Sequence, residues 1–301
     1  MNTVLVKLSG GMGNQMFQYA AARQLALLND ASVVLDLTGF ETYKLHRFSL
    51  QHFALNAPVA QKWEVRAAEG KHSVLSKLAF WRKLTAGMPD AGTTFQKVQQ
   101  QGLGYDASLL EKRGHLHLDG YWQSPRYFDG ISGLIREAFQ IVTPPSAENA
   151  EMARRIADCH SVSLHVRRAD YVNNPKTLGV HGACSAAYYD AAVAVISERV
   201  SDLRFFIFSD DIPWARENLA FPGEKVFVDF NDASRNYEDL RLMSLCQHHI
   251  TANSTFSWWG AWLGKPEGIT LTPARWFNDE SKGPPVDDLV PTGWIRIGGV
   301  A

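Results

Sequence analysis

The hydrophobic and polar positions fall into two stretches of alternating strand-like and helix-like pattern, separated by a less regular middle. Thr3–Leu8 (TVLVKL) is mostly β-branched or aliphatic and reads as a buried strand. Ser9–Asn14 (SGGMGN) is a tight turn. Gln15–Leu28 carries Met16, Phe17, Ala20, Ala21, Leu25 and Leu28 at helical spacing, and Asn29-Asp30 ends it. Ser32–Leu37 is the next strand. A strand, Gly-rich turn, helix and strand in that order predict a parallel pair.

From Thr38 to about Gly120 no period dominates, although Val74–Leu84 has helix-like pieces and Gln96–Gln101 is a polar run. Tyr121–Phe128 reads as a loop and Ile131–Phe139 as a helix. Thr143-Pro144-Pro145-Ser146 is the strongest breaker and predicts a domain boundary, giving domains 1–145 and 146–301. Beyond it the alternation is cleaner. Strands are expected at Ser161–Val166, Arg204–Phe208, Lys225–Phe230, Ile250–Ala252 and Ile269–Thr272. Helices are expected at Ser185–Val200 with Ser185 as N-cap, Pro213–Leu219, Tyr237–Cys246 and Trp258–Leu263. Repeated β-then-α order means a parallel sheet covered on both faces. The fold class is therefore α/β, with two halves that each open on a strand.

Composition narrows the partners. Lys plus Arg total 30 and Asp plus Glu total 31, so no long-range field draws the chain to nucleic acid or an anionic membrane. A bound anion has to be met by a local site. Cys159, Cys184 and Cys246 are odd in number and widely spaced, which fits a reducing compartment and no disulfide framework. The N-terminus lacks the pattern of a signal peptide, and no apolar run reaches the ~18 residues of a membrane span. A cytoplasmic protein is expected.

Four segments carry candidate chemistry. Gly10-Gly11-Met12-Gly13-Asn14-Gln15 lies between a strand and a helix. It suits either close backbone approach to a phosphate at a helix start or an ordinary tight βα turn. It is neither a P-loop nor a complete GxGxxG, because Met16 stands at the third Gly position. His165-Val166-Arg167-Arg168-Ala169-Asp170 follows a strand, where α/β sheets bind ligands, and Arg suits bidentate phosphate recognition. Asp170 is placed to hold one of these arginines, while His165 taken alone reads as a core histidine. Ser209-Asp210-Asp211 ends another strand, and Asp211 reads best as a helix cap. Asn253-Ser254-Thr255-Phe256-Ser257 puts four polar groups in five positions at a helix start, more than capping requires, and the Trp residues after it read as packing. No Asp-x-Asp, HExxH or CxxC occurs, so no dedicated metal site is expected.

GGMGNQMFQYA, HVRRADY, FFIFSDD and NSTFSWWGAWL, in this order, resemble the motifs of the bacterial α-1,2-fucosyltransferases of glycosyltransferase family 11. LHRFSL (Leu45–Leu50) and GYWQS (Gly120–Ser124) resemble the family's weaker motifs. The resemblance runs from Lys7 to about Leu263. It implies a GT-B type fold, two Rossmann-like domains facing across a cleft, with the acceptor side in the first domain and GDP-fucose in the second. It implies inverting, metal-independent transfer of L-fucose from GDP-fucose, without a further cofactor, to O2 of a terminal β-galactoside on a glycan. Arg167 then contacts the β-phosphate, and Gly11 and Gly13, with Asn14 and Gln15 beside them, approach the phosphates from the other domain. Asn253 and Ser254 to Ser257, Thr255 included, line the phosphate and fucose pocket, with Arg168 next to Arg167. His165 and Asp239 correspond more loosely to guanine or ribose contacts. Asp170 is the candidate general base, a role that the family's oxocarbenium-like transition state can make dispensable. A bacterial enzyme in peripheral contact with the inner membrane, where lipid-linked glycans are built, is compatible with this reading.

Two other classes are weighed against it. A dinucleotide oxidoreductase would use the Gly turn and Asp36, at the end of the second strand, for a ribose. A non-catalytic glycan-binding protein would use the aromatic residues and leave Arg167 and Arg168 without a role.

Overall fold

The computed structural model describes residues 2–42, 45–70, 93–168, 178–180 and 182–298. Two compact units result, Met1–Val142 and Thr143–Ala301. Strand β1 (Asn2–Lys7) buries Val4, Leu5 and Val6 without alternation, as a parallel strand covered on both faces should. Helix α1 (Met12–Leu28) begins three residues before the expected Gln15, with Gly11 as its extended N-cap. The Gly-rich segment is thus half turn and half first helical turn. Most of α1 is buried around its circumference, so it has little polar face.

Strand β2 (Ala31–Asp36), helix α2 (Lys62–Ala68), β3 (Gln96–Gln99), β4 (Leu116–Asp119) and helix α3 (Ser132–Ala138) complete the first unit's regular elements used below. The described strands form one parallel sheet in the order β2-β1-β4-β3. β3 and β4 lie in the stretch where no order was expected. β3 is the sheet edge, and of its residues only Val98 is buried, so the polar run Gln96–Gln101 carried almost no hydrophobic signal. β4 is interior, but its Leu-His-Leu-Asp pattern breaks the apolar run with His117. That ring is 2% exposed and bonds Asp36 Oδ2 at 3.1 Å, which is how the sheet tolerates it. The Val74–Leu84 segment lies outside the described residues.

The second unit opens with α4 (Ala147–Ala157), where Ser146 Oγ accepts from Asn149 N at 3.3 Å. The breaker at Thr143–Ser146 is therefore also a helix start. Then follow β5 (His160–Val166), α5 (Ala186–Ser197), β6 (Leu203–Ser209), α6 (Ile212–Asn218) and β7 (Glu224–Val228). α7 (Asn236–Leu245), β8 (His248–Ile250), α8 (Thr255–Leu263), β9 (Thr270–Pro273), α9 (Val286–Leu289) and β10 (Ile295–Ile297) complete the described regular elements. Ser185 caps α5 and Asp211 caps α6, as local sequence predicted. β10 was not anticipated; three residues with one buried side chain are too short to show a period.

The second sheet runs β10-β9-β8-β5-β6-β7, with its strand pairs parallel. Counted from the unit's own first strand and read from β7, the order is 3-2-1-4-5-6, that of dinucleotide-binding sheets. Its core joins Val162, Leu164 and Val166 of β5 to Tyr189, Val193 and Ile196 of α5 and to Phe205 and Ile207 of β6. Among the described residues, no helix is long and apolar enough to cross a membrane.

Candidate active site

In open parallel sheets a ligand crevice lies at the carboxyl ends of the strands where the order reverses. In the second unit that point is between β5 and β8. The chain leaves β5 at Arg167-Arg168 and leaves β8 toward Asn253–Ser257, so two of the four candidate segments meet at the switch point. The His165 ring lies 5.6 Å from the Phe256 ring, which joins the two directly.

The two arginines differ. Arg167 Nε pairs with Asp210 Oδ2 at 3.2 Å, while Asp210 Oδ1 accepts from Arg168 N at 2.8 Å. One carboxylate thereby fixes both the Arg167 side chain and the backbone that follows it. Asp170, expected to hold an arginine, lies outside the described residues, and Asp210 performs that task for Arg167. Arg168 turns to the neighbouring layer. Its guanidinium stacks on the Trp214 ring at 4.0 Å, and its Nε lies 3.6 Å from Asp211 Oδ2, beyond hydrogen-bonding distance. Asp211 also accepts from Trp214 N at 3.2 Å, the capping role expected of it.

His165 is 4% exposed, and its Nδ1 has no hydrogen-bond partner among the described residues. Burial, and then the nearby charge of Arg167, lower its pKa to about 3, so the ring is neutral at ordinary pH. The polar cluster at the start of α8 divides as well. Asn253 Nδ2 donates to Gly182 O at 3.3 Å and Trp276 O at 3.1 Å, using both amide hydrogens. Ser257 Oγ lies between Ala252 N (3.2 Å) and Ser254 O (3.2 Å). Ser254 Oγ accepts from Phe256 N at 3.3 Å as the N-cap. These three side chains shape the turn that presents the α8 N-terminus, whereas Thr255 is partly exposed there. Asp239 is on α7, bonded to Asn231 Nδ2 at 2.8 Å, and burial lifts its carboxyl to about 7. Asn231 also exchanges two hydrogen bonds of 2.9 Å with Asn149 of α4, so Asp239 belongs to the polar joint between α7 and α4.

The first unit has its own reversal, between β1 and β4. There the Gly loop meets the Gly120–Gln123 turn. Gln18, which sequence reasoning did not single out, accepts from Ser9 N at 3.0 Å and donates to Gly120 O at 3.0 Å. Gln15 donates to Gly10 O at 2.9 Å and to Arg47 O at 2.8 Å, and accepts from Ser49 N at 2.9 Å. Its buried amide holds the loop against Leu45–Leu50 through these three bonds. Asn14 Oδ1 accepts from Gln123 Nε2 at 2.8 Å. A Cβ on Gly11 would lie 3.6 Å from the His46 ring, while Gly13 sits inside the first turn of α1. Three sequence motifs far apart in the chain thus form one cluster. Trp122, within it, is fully buried yet holds a left-handed backbone (φ 54°), at a cost of about 1–3 kcal/mol for a bulky residue.

Asp36 also settles one alternative. Burial raises its pKa, but hydrogen bonds from His117 and from Thr38 outweigh this and leave it below the usual carboxylate range. With Thr38 N at 2.8 Å, Thr38 Oγ1 at 2.6 Å and His117 at 3.1 Å, the carboxylate is turned into its own unit rather than toward a ribose.

The Glycosyl transferase family 11 model matches residues 104–298, nearly two-thirds of the chain. The chain belongs to glycosyl transferase family 11. It is 34% identical to the alpha-1,2-colitosyltransferase of Escherichia coli over 99% of both chains. It is 26% identical to the galactoside alpha-(1,2)-fucosyltransferase 1 of Leontocebus fuscicollis, over 87% of this chain and 66% of that one. Among solved structures, an Arabidopsis thaliana FUT1 variant in complex with GDP is similar in fold, with TM-score 0.54 and 12% identity over 95% of this chain and 73% of that chain. The family 11 protein is accordingly a glycosyltransferase, as its motifs implied.

Proposed function

We propose that this family 11 enzyme transfers L-fucose from GDP-fucose to O2 of a terminal β-galactoside, with inversion and without a metal ion. The observation that carries the reading is Arg167, clamped by Asp210 at the switch point of a nucleotide-type sheet. Transfer breaks the bond between the fucose anomeric carbon and the β-phosphate oxygen, and negative charge builds on that phosphate. A guanidinium fixed at Nε, with the N-terminus of α8 beside it, stabilises that charge where it develops. The acceptor O2 forms the new bond from the opposite face and gives up its proton, for which Asp170 is the proposed base. In this reading the two units form the GT-B pair, with GDP-fucose on 146–301 and the acceptor with the Gly11–Gly13 loop on 1–145. The neutral His165 and the partly exposed Thr255 face the nucleotide, and the site works at the cytoplasmic side of the membrane.

A second reading is favoured by the 34% identical colitosyltransferase. Colitose is L-fucose without its 3-hydroxyl, so the same pocket with a different contact at that carbon would take GDP-colitose. The test is incubation with lactose and each donor in turn, with and without EDTA, followed by mass spectrometry and NMR. EDTA-resistant α-1,2-fucosyl-lactose is the expected product. Transfer from GDP-colitose alone would replace the donor assignment, and loss of all transfer in EDTA would overturn the metal-free mechanism.

A further inference from the structure

The first unit carries a groove with a volume of about 320 Å3. It runs along the edge strand β3 and faces the 3-10 turn at Ala107–Glu111. Its walls include Gln96, Gln100, Gln101, Asp106, Lys112 and Trp122. Three features mark it as built for a ligand. The Trp122 indole Nε1, buried, has no acceptor among the described residues, and buried donors left unpaired are uncommon. Trp122 is held in its left-handed conformation by Gln100, whose Oε1 accepts from Tyr121 N at 2.7 Å and Trp122 N at 3.1 Å. The adjoining Gln123 donates to Asn14 of the Gly-rich loop.

The chemistry of the walls selects the ligand. Side-chain amides supply donors and acceptors in the same place, a lysine and a carboxylate balance one another, and an indole N–H lies unpaired at the wall. That combination suits a neutral, hydroxyl-rich molecule better than a phosphate or an apolar chain. We propose that this groove is a carbohydrate subsite that holds a sugar of the acceptor glycan beyond the galactose that receives fucose, with a sugar hydroxyl accepting from Trp122 Nε1. The proposal rests on the glycosyl-transfer reading above and adds where the enzyme reads its acceptor's length.

The experiment uses the whole protein and neutral β-galactose-terminated tri- and tetrasaccharides, with methyl β-galactoside as the short reference. In 15N-labelled protein the Trp122 indole N–H resonance, assigned by its loss in Trp122→Phe, should move on titration with the tetrasaccharide and stay still with methyl β-galactoside. The groove-wall variants Gln96→Ala and Lys112→Ala should each raise KM for the tetrasaccharide by about three- to tenfold, the loss of one hydrogen bond. KM for methyl β-galactoside and kcat should be unchanged, an outcome that a merely structural role would not produce. Transfer with no resonance shift, or with equal KM changes for long and short acceptors in both variants, would overturn the subsite and leave the transferase reading standing. A shift without transfer from GDP-fucose would support the subsite while removing the donor assignment.

Discussion

Replacing Asp210 with Asn tests whether Arg167 acts as a preorganised donor. The Arg167–Asp210 pair is about a quarter exposed on each side, so its contribution to stability is about 0–1 kcal/mol. In a unit of this size that moves Tm by at most ~4 °C. The rate effect is expected to be larger. A donor fixed against developing charge is commonly worth ~3 kcal/mol, about a hundredfold. Arg167→Ala loses all of it. Asp210→Asn keeps one carbonyl oxygen where two carboxylate oxygens had served Arg167 Nε and Arg168 N. The guanidinium is then loose, and kcat should fall about ten- to a hundredfold. Because Asp210 acts through Arg167, the double variant should be no slower than Arg167→Ala by more than about twofold, whereas independent roles would multiply to a thousandfold or more. Single-turnover rates at saturating donor and acceptor, with melting curves for each protein, are the assay. Multiplicative losses, or Asp210→Asn turning over at the wild-type rate, would refute the clamp.

Gly10→Ala should destabilise the first unit by about 1–2 kcal/mol, because Gly10 has φ +74° and a Cβ there would lie 2.6 Å from Asn14 Nδ2. A Tm within 1 °C of wild type in calorimetry would contradict this. Acidification should destabilise the second unit. His165 and His249 both have folded pKa values lowered to about 3, by burial first and then by Arg167 and His248 respectively. Below their unfolded value of ~6.5 the unfolded chain binds protons that the folded one refuses, so stability present at pH 7 is lost as pH falls, by about 2 kcal/mol each at pH 5. Asp239, raised to about 7, works in the other direction and returns about 2 kcal/mol over the same interval. Urea melts should therefore show a net loss of about 2 kcal/mol between pH 7 and pH 5, and a steeper one in Asp239→Asn. Equal slopes in the two proteins would show that Asp239 titrates normally.

Local information in the chain was sufficient for much of the second unit. Its strands are buried on both faces and its helices are separated by Ser, Asp and Pro at their starts, so period and capping mark each element without reference to the rest. Ser185 and Asp211 are caps because the groups they bind are three residues away. The family was also legible, because GGMGNQ, HVRR and NSTFSWWG are contiguous and highly patterned. Other features had no local signature. β3 needs one buried residue at a sheet edge, and β4 hides a histidine whose partner lies 81 positions earlier. Strand order is decided by crossovers and pairings between distant segments, and it alone brings the end of β5 beside residues 253–257. It also decided that Asp210, across the β5–β6 pair, clamps Arg167, and that Gln15 and Asn253 turn inward as staples. Residue type shows what a side chain is able to bond. Only the converging backbones determine which of those bonds remain for a substrate.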